Sequence, residues 1–155
     1  MRTLVIGYGN NSRRDDGVGW YVVERLRHCG LEQVDLLTTH QLEVELAETI
    51  RHYDVVIFVD AATQDAPRAI DRRQVQPSYQ SHAVAHYLTP SDLLALSQTL
   101  YHTAPHGLLF SIRGEDFDFG ETLSPTVREC ADKVVTEICQ LARMFAQSKG
   151  DPVHA

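Results

Sequence analysis

The sequence predicts an α/β fold: a three-layer αβα sandwich around a twisted, mostly parallel sheet. Three observations predict it. Residues 4–19, LVIGYGNNSRRDDGVG, pass from a short apolar run through a glycine turn into an amphipathic stretch, the strand–loop–helix opening of a βαβ unit. Residues 53–59, YDVVIFV, are almost continuously apolar and rich in β-branched side chains, as in a parallel strand buried on both faces. Along the rest of the chain, strand-like and helix-like segments alternate, which places helices on both faces of a sheet.

The elements follow in order. Residues 2–7 read as a first strand ending at Gly7, and 17–29 as a helix with Val18, Tyr21, Val22, Leu26 and Cys29 on one face. Gly30 then stops it. A short strand is expected from Val34, a second helix over 42–51, and the buried strand over 53–59 with Asp60 at its end. Ile70 to Val75 suits a further strand. Thr89-Pro90-Ser91-Asp92 is a helix start, with Thr89 as N-cap, Pro90 in the first turn and Asp92 reaching back. That helix runs to about Tyr101, with Leu93, Leu96 and Leu100 inward. Gly107 to Ile112 is the last strand, and 114–123 an acidic loop. Ser124-Pro125 caps a long helix whose stripe is Val127, Ala131, Val134, Ile138, Leu141 and Phe145. Residues 77–89 show no clear period. One domain is expected over 1–147, with a polar tail at 148–155.

Composition narrows the function. The 155 residues carry a formal net charge of −7, against the basic patches of nucleic-acid binders. No run of about 18 apolar residues exists, so no membrane span is expected. The first apolar run is too short for a signal peptide. Cys29, Cys130 and Cys139 lack metal-like spacing and read as reduced thiols of a cytoplasmic protein.

The chemistry-bearing residues converge on the first loop. Gly7-Tyr8-Gly9-Asn10-Asn11-Ser12 lacks the third glycine of a dinucleotide fingerprint. Two acids, Asp15 and Asp16, stand where a pyrophosphate would want positive helix-end amides, which argues against a nucleotide. One acid reads as a cap on the helix starting at Gly17, and Arg13 or Arg14 as a partner for the other. Asp60 ends the buried strand at the same sheet edge, where open α/β proteins place their sites. Two carboxylates and an imidazole would suit a divalent metal. His82 and His86 compete for that imidazole. Serine-triad catalysis lacks a G-x-S-x-G elbow, and the cysteines lie on helix faces.

The block IGYGNNSRRDDGVG closely resembles the signature of the hydrogenase maturation proteases, which process the large subunit of nickel–iron hydrogenases. THQLEVELAE at 39–48, VIFVDAA at 56–62, HYLTPSDLLAL at 86–96 and GEDFDFGETLSP at 114–125 resemble further blocks of one branch, in the same order. The resemblance implies an αβα sandwich and an endopeptidase that removes a C-terminal extension from the precursor once nickel is in place. It implies a metal trio of Asp16, Asp60 and His86, with His82 as fallback. Asp16 or Asp60 would serve as general base, or the metal would polarise the scissile carbonyl or activate water. Nickel would arrive with the precursor. Asn10, His40 and Gln41 are the substrate-contact candidates, and Asp15 becomes the cap. The implied partner is the large-subunit precursor, with neither nucleic acid nor membrane; a monomer is allowed, and the oligomeric state is open. Two rivals stand beside this reading. A peptidyl-tRNA hydrolase also begins with a strand and a G-x-G-N block, but should show a basic substrate face. A non-catalytic nickel-recognition or docking protein would keep the trio without cleaving.

Overall fold

A computed structural model of the chain describes residues 1–79 and 88–148. Among them five strands form one sheet: β1 (Thr3–Tyr8), β2 (Val34–Thr39), β3 (Val55–Ala62), β4 (Ile70–Val75) and β5 (His106–Arg113). The order across the sheet is β2-β1-β3-β5-β4. All pairs are parallel except β4 with β5, which is antiparallel at one edge. Four helices cover it: α1 (Val18–Leu26), α2 (Leu46–Ile50), α3 (Pro90–Tyr101) and α4 (Pro125–Gln147). The expected αβα sandwich is the architecture found.

Strand alternation splits the core in two. On one face Val5, Val55, Ile57 and Val59 pack with Val22 and Leu26 of α1 and with the predicted α4 stripe, from Val127 to Phe145. On the other, Leu4, Ile6, Val56 and Phe58 pack with Ile50 of α2 and with Leu93 and Leu94 of α3. Residues Val55 to Val59 are all essentially inaccessible, as a strand covered by helices on both faces requires.

Some boundaries differ from the sequence reading. Helix α1 begins only at Val18, because a 3₁₀ turn, Arg14–Gly17, precedes it. Helix α2 is five residues long, Leu46–Ile50, shorter than the expected 42–51. Strand β3 continues two residues past Asp60, pairing Ala62 with Arg113 of β5, so Asp60 lies inside the strand rather than at its end. Helix α3 has the predicted Thr89–Asp92 capping box. Its buried leucines are Leu93 and Leu94, whereas Leu100 is 52% exposed: a single sheet contact face admits the 93/94 pair and leaves position 100 past its rim.

The topology creates a crevice. From β1 the chain moves to β2 on one side, then returns through α2 to β3 on the other. The carboxyl ends of β1 and β3 are therefore a switch point, where loops diverge and leave room for a ligand.

Candidate active site

The first loop leaves β1 at this switch point. Gly9 takes φ +140, and a Cβ there would stand 2.2 Å from the Asp16 carbonyl oxygen. Only glycine lets the chain fold back so closely. Helix α1 approaches equally closely: a Cβ on Gly19 would meet the Val59 carbonyl oxygen at 2.5 Å. The returning loop is held by Arg13 N–H donating to Asn10 O (3.1 Å) and Trp20 Nε1 donating to Gly9 O (3.0 Å).

Asp16 is half-buried. Its Oδ2 accepts the Asn10 N–H at 2.7 Å. Asp60 lies on the β3 face that carries Val56 and Phe58, as alternation demands. Its Oδ1 accepts the Ala61 N–H at 2.7 Å, and the Tyr8 phenol donates to the same carboxylate. Burial pushes the Asp60 pKa up to about 6; the nearby Asp16 charge pushes the same way, against the Tyr8 and Ala61 hydrogen bonds. Burial and the Asp60 carboxylate also raise the Tyr8 phenol well above its ordinary value. Asp16 and Asp60, 44 positions apart in sequence, thus come within electrostatic reach of each other at the switch point.

Asp15 points the other way and is fully buried. The cap reading is corrected: the 3₁₀ turn and α1 have no side-chain cap. Instead Asp15 receives the loop before α4. Its Oδ2 accepts Glu115 N–H (2.9 Å), Asp116 N–H (2.9 Å) and Ser124 Oγ–H (2.7 Å), and its Oδ1 accepts Ser124 N–H (2.8 Å). Burial would raise its pKa, but these donors together hold it below the usual value. The expected pairing of Arg13 or Arg14 with the acid pair is corrected as well. Arg14 pairs with Asp116, and the Arg13 guanidinium stacks on Phe119. Ser124 does not cap α4 with its side chain, because its hydroxyl is committed to Asp15.

The other candidates are placed as follows. Asn10 shapes the loop through its side chain: its Oδ1 accepts Ser12 N–H at 2.9 Å. His40 and Gln41 follow β2, which is stitched to the glycine loop by Gly9 N–H donating to Thr39 O at 3.1 Å. The Thr39 hydroxyl donates to Gln41 O at 3.1 Å; His40 is exposed and Gln41 half-buried. His82 and His86 lie outside the described residues. Among the described residues no group of three His, Cys, Asp or Glu side chains is disposed around one point. Nor, among them, is any helix long and apolar enough to cross a membrane.

Sequence reasoning missed Tyr8 and Ser124. Tyr8 carried a signal, since it follows Leu4 and Ile6 in alternation and stands between the two turn glycines. Ser124 carried none, being 109 residues from Asp15.

No protein-family model matches the chain, and no curated protein sequence does. Solved structures do. The hydrogenase maturating endopeptidase HybD from E. coli is similar with a TM-score of 0.74 and 21% identity, over 94% of both chains. The [NiFe] hydrogenase maturation protease HycI from Thermococcus kodakarensis KOD1 is similar with a TM-score of 0.72 and 22% identity, over 92% of both chains. A further endopeptidase from E. coli, solved in solution, matches over 99% of both chains with a TM-score of 0.71 and 20% identity. The chain has the fold of the hydrogenase maturation proteases.

Proposed function

We propose that the protein is an endopeptidase that removes the C-terminal extension of a nickel–iron hydrogenase large-subunit precursor after nickel insertion. The observation that carries the reading is the meeting of Asp16 and Asp60 at the switch point of this fold. Two carboxylates brought together in a partly buried crevice are costly to the fold unless a cation or a proton joins them. Oxygen donors of this kind, with an imidazole, fit a borderline divalent ion such as nickel. That ion belongs to the substrate.

Asp16, Asp60 and His86 form the proposed recognition trio, with His82 as the competing imidazole. The precursor would present its nickel to the trio and its scissile bond beside it, so cleavage would wait for metal loading. A carboxylate of the pair would take the proton of the attacking water, or the delivered nickel would polarise the scissile carbonyl. Asn10, His40 and Gln41 line the adjoining loops and are proposed to contact the extension.

The test is processing of nickel-loaded precursor, read as shortening of its C-terminus. Asp16→Asn, Asp60→Asn and His86→Ala should each abolish it while leaving the protein folded. Normal processing by His86→Ala together with loss in His82→Ala would transfer the ligand role to His82. A wild-type protein that binds the nickel-loaded precursor without ever shortening it would instead be a docking protein.

A further inference from the structure

Away from the crevice, past the carboxyl end of α1, two of the three cysteines meet. Cys29 lies in the turn that follows α1, and its Sγ–H donates to Arg25 O at 3.5 Å. Cys139 sits in the middle of α4 and is 7% exposed. Helices α1 and α4 cover the same sheet face, and both sulfurs belong to that core, Cys139 within it and Cys29 packed against it. The contact continues on either side of the pair. Gly30 and Leu31 share a cleft with Ala142 and Arg143, the next turn of α4. At the centre the Cys139 S–H donates to the Cys29 sulfur. All three cysteines are free thiols. Cys130 does not share this contact: it stands on the same helix about 13 Å back along the axis.

The two thiols are unequal. Burial, joined by the hydrogen bond to Cys29, pushes the Cys139 thiol up to about 11, against the Arg143 charge nearby. It therefore keeps its proton and is shielded from solutes. Cys29 is half-buried, so it is the sulfur that a small oxidant reaches first. An accessible thiol with a second sulfur already in contact is the arrangement of an attacking and a resolving cysteine.

We infer that Cys29 and Cys139 are a redox modification site, which a hydroperoxide closes into an intramolecular disulfide between the end of α1 and the middle of α4. The Cys29 thiolate attacks a peroxide oxygen and the O–O bond breaks. The leaving oxygen takes a proton and departs as water or an alcohol, and Cys29 becomes a sulfenic acid. The Cys139 sulfur then attacks Cys29 Sγ. The S–O bond breaks as the S–S bond forms, and hydroxide leaves with the Cys139 proton as water. Two thiols have then given up two electrons and two protons, and the peroxide has taken them. Contact between the sulfurs makes the second step intramolecular, which offsets the weak nucleophilicity of a protonated, buried thiol. A dithiol reductant reverses the bridge by attack on the accessible Cys29 sulfur. The bridge closes most of the chain into one loop and restricts the unfolded state. It also fastens α1, whose other end supports the first loop through Trp20 Nε1 donating to Gly9 O.

The experiment exposes the whole chain, reduced with dithiothreitol and then freed of it, to hydrogen peroxide. Peptide mapping of wild type should show the Cys29 and Cys139 peptides joined and lighter by two hydrogens than their reduced parts, while Cys130 stays open to a maleimide. The melting temperature should rise by about 5–10 °C and fall back on adding dithiothreitol. Cys130→Ser should respond as wild type does, and Cys29→Ser should gain no stability from peroxide. Cys139→Ala should leave Cys29 as a sulfenic acid that dimedone captures; should that variant fail to fold, the wild-type map decides alone. Three free thiols after peroxide treatment would overturn the inference. So would Cys29 driven on to sulfinic acid without a link, or a bridge from Cys29 to Cys130 or to a second chain. A Cys29–Cys139 link that leaves the melting temperature unchanged or lower would refute the fastening of α1 to α4.

Discussion

Removing the Asp15 carboxylate should unfasten the site from the helix behind it. Asp15→Ala leaves four donors without their acceptor: the amides of Glu115, Asp116 and Ser124, and the Ser124 hydroxyl. The two Ser124 bonds are buried and the other two partly so. A stranded buried donor costs about 1–3 kcal/mol, and one that water can reach costs less. The sum is about 4–6 kcal/mol. Relief of the carboxylate's own burial penalty, which opposes the hydrogen bonds, brings the expected loss to about 3 kcal/mol. For a chain of this size that is a fall in Tm of about 9 °C. The pH dependence has a definite sign. A carboxylate whose folded pKa is held below its ordinary 3.8 contributes stability that is present above 3.8 and is lost as pH falls through the folded pKa. Urea denaturation of wild type and Asp15→Ala should therefore differ by a constant amount from pH 5 to pH 8, and converge at lower pH. A difference below about 0.5 kcal/mol at pH 7 would refute the clasp, and so would a gap that widens in acid.

Three further outcomes are expected. Asp60→Asn should stabilise the metal-free protein at pH 7.5. The move of Asp60 from 3.8 to about 6 is worth at most about 3 kcal/mol, trimmed to about 1–2 by the amide's own burial. The wild-type carboxyl contributes stability that is fully present below 3.8 and is lost as pH rises through about 6, so the gain in Asp60→Asn should vanish by about pH 4 in thermal melts run with a chelator. Gly9→Ala should cost at least about 2 kcal/mol, since its Cβ would press on the Asp16 carbonyl at 2.2 Å with φ at +140; soluble yield and urea midpoint read this out, and an unchanged midpoint would contradict the turn geometry. Tyr8→Phe removes the phenol that donates to Asp60; it should slow processing of the precursor while leaving the melting temperature within about 3 °C, and full activity would remove Tyr8 from the site.

Much of this site was legible in the chain, for reasons of period and spacing. Alternation and β-branched runs announced β1 and β3, because a strand buried on both faces can hold little else. The α4 stripe was equally plain: 23 residues at helical spacing leave no competing period. The glycine loop announced a turn, and Asp60 followed from its strand. Helix α2 and the boundary of α1 were less legible, since ends depend on packing rather than on periodicity. Asp15 was misread because a local rule, acids at a helix start, competes with a distant partner that no spacing reveals.

The linear chain thus carried its strands, its long helix, the capped start of α3 and the acids that matter, since each rests on short-range sterics and on burial at a fixed period. Which of two adjacent acids faces the crevice was not contained there. That followed only when the sheet order put β1 beside β3 and brought residues 115–124 back over the first loop. Then Asp15 was drawn inward by four donors and Asp16 was left at the switch point, within electrostatic reach of Asp60. Side chains one residue apart point in different directions, and the division of labour between them is set by what the remote chain offers each.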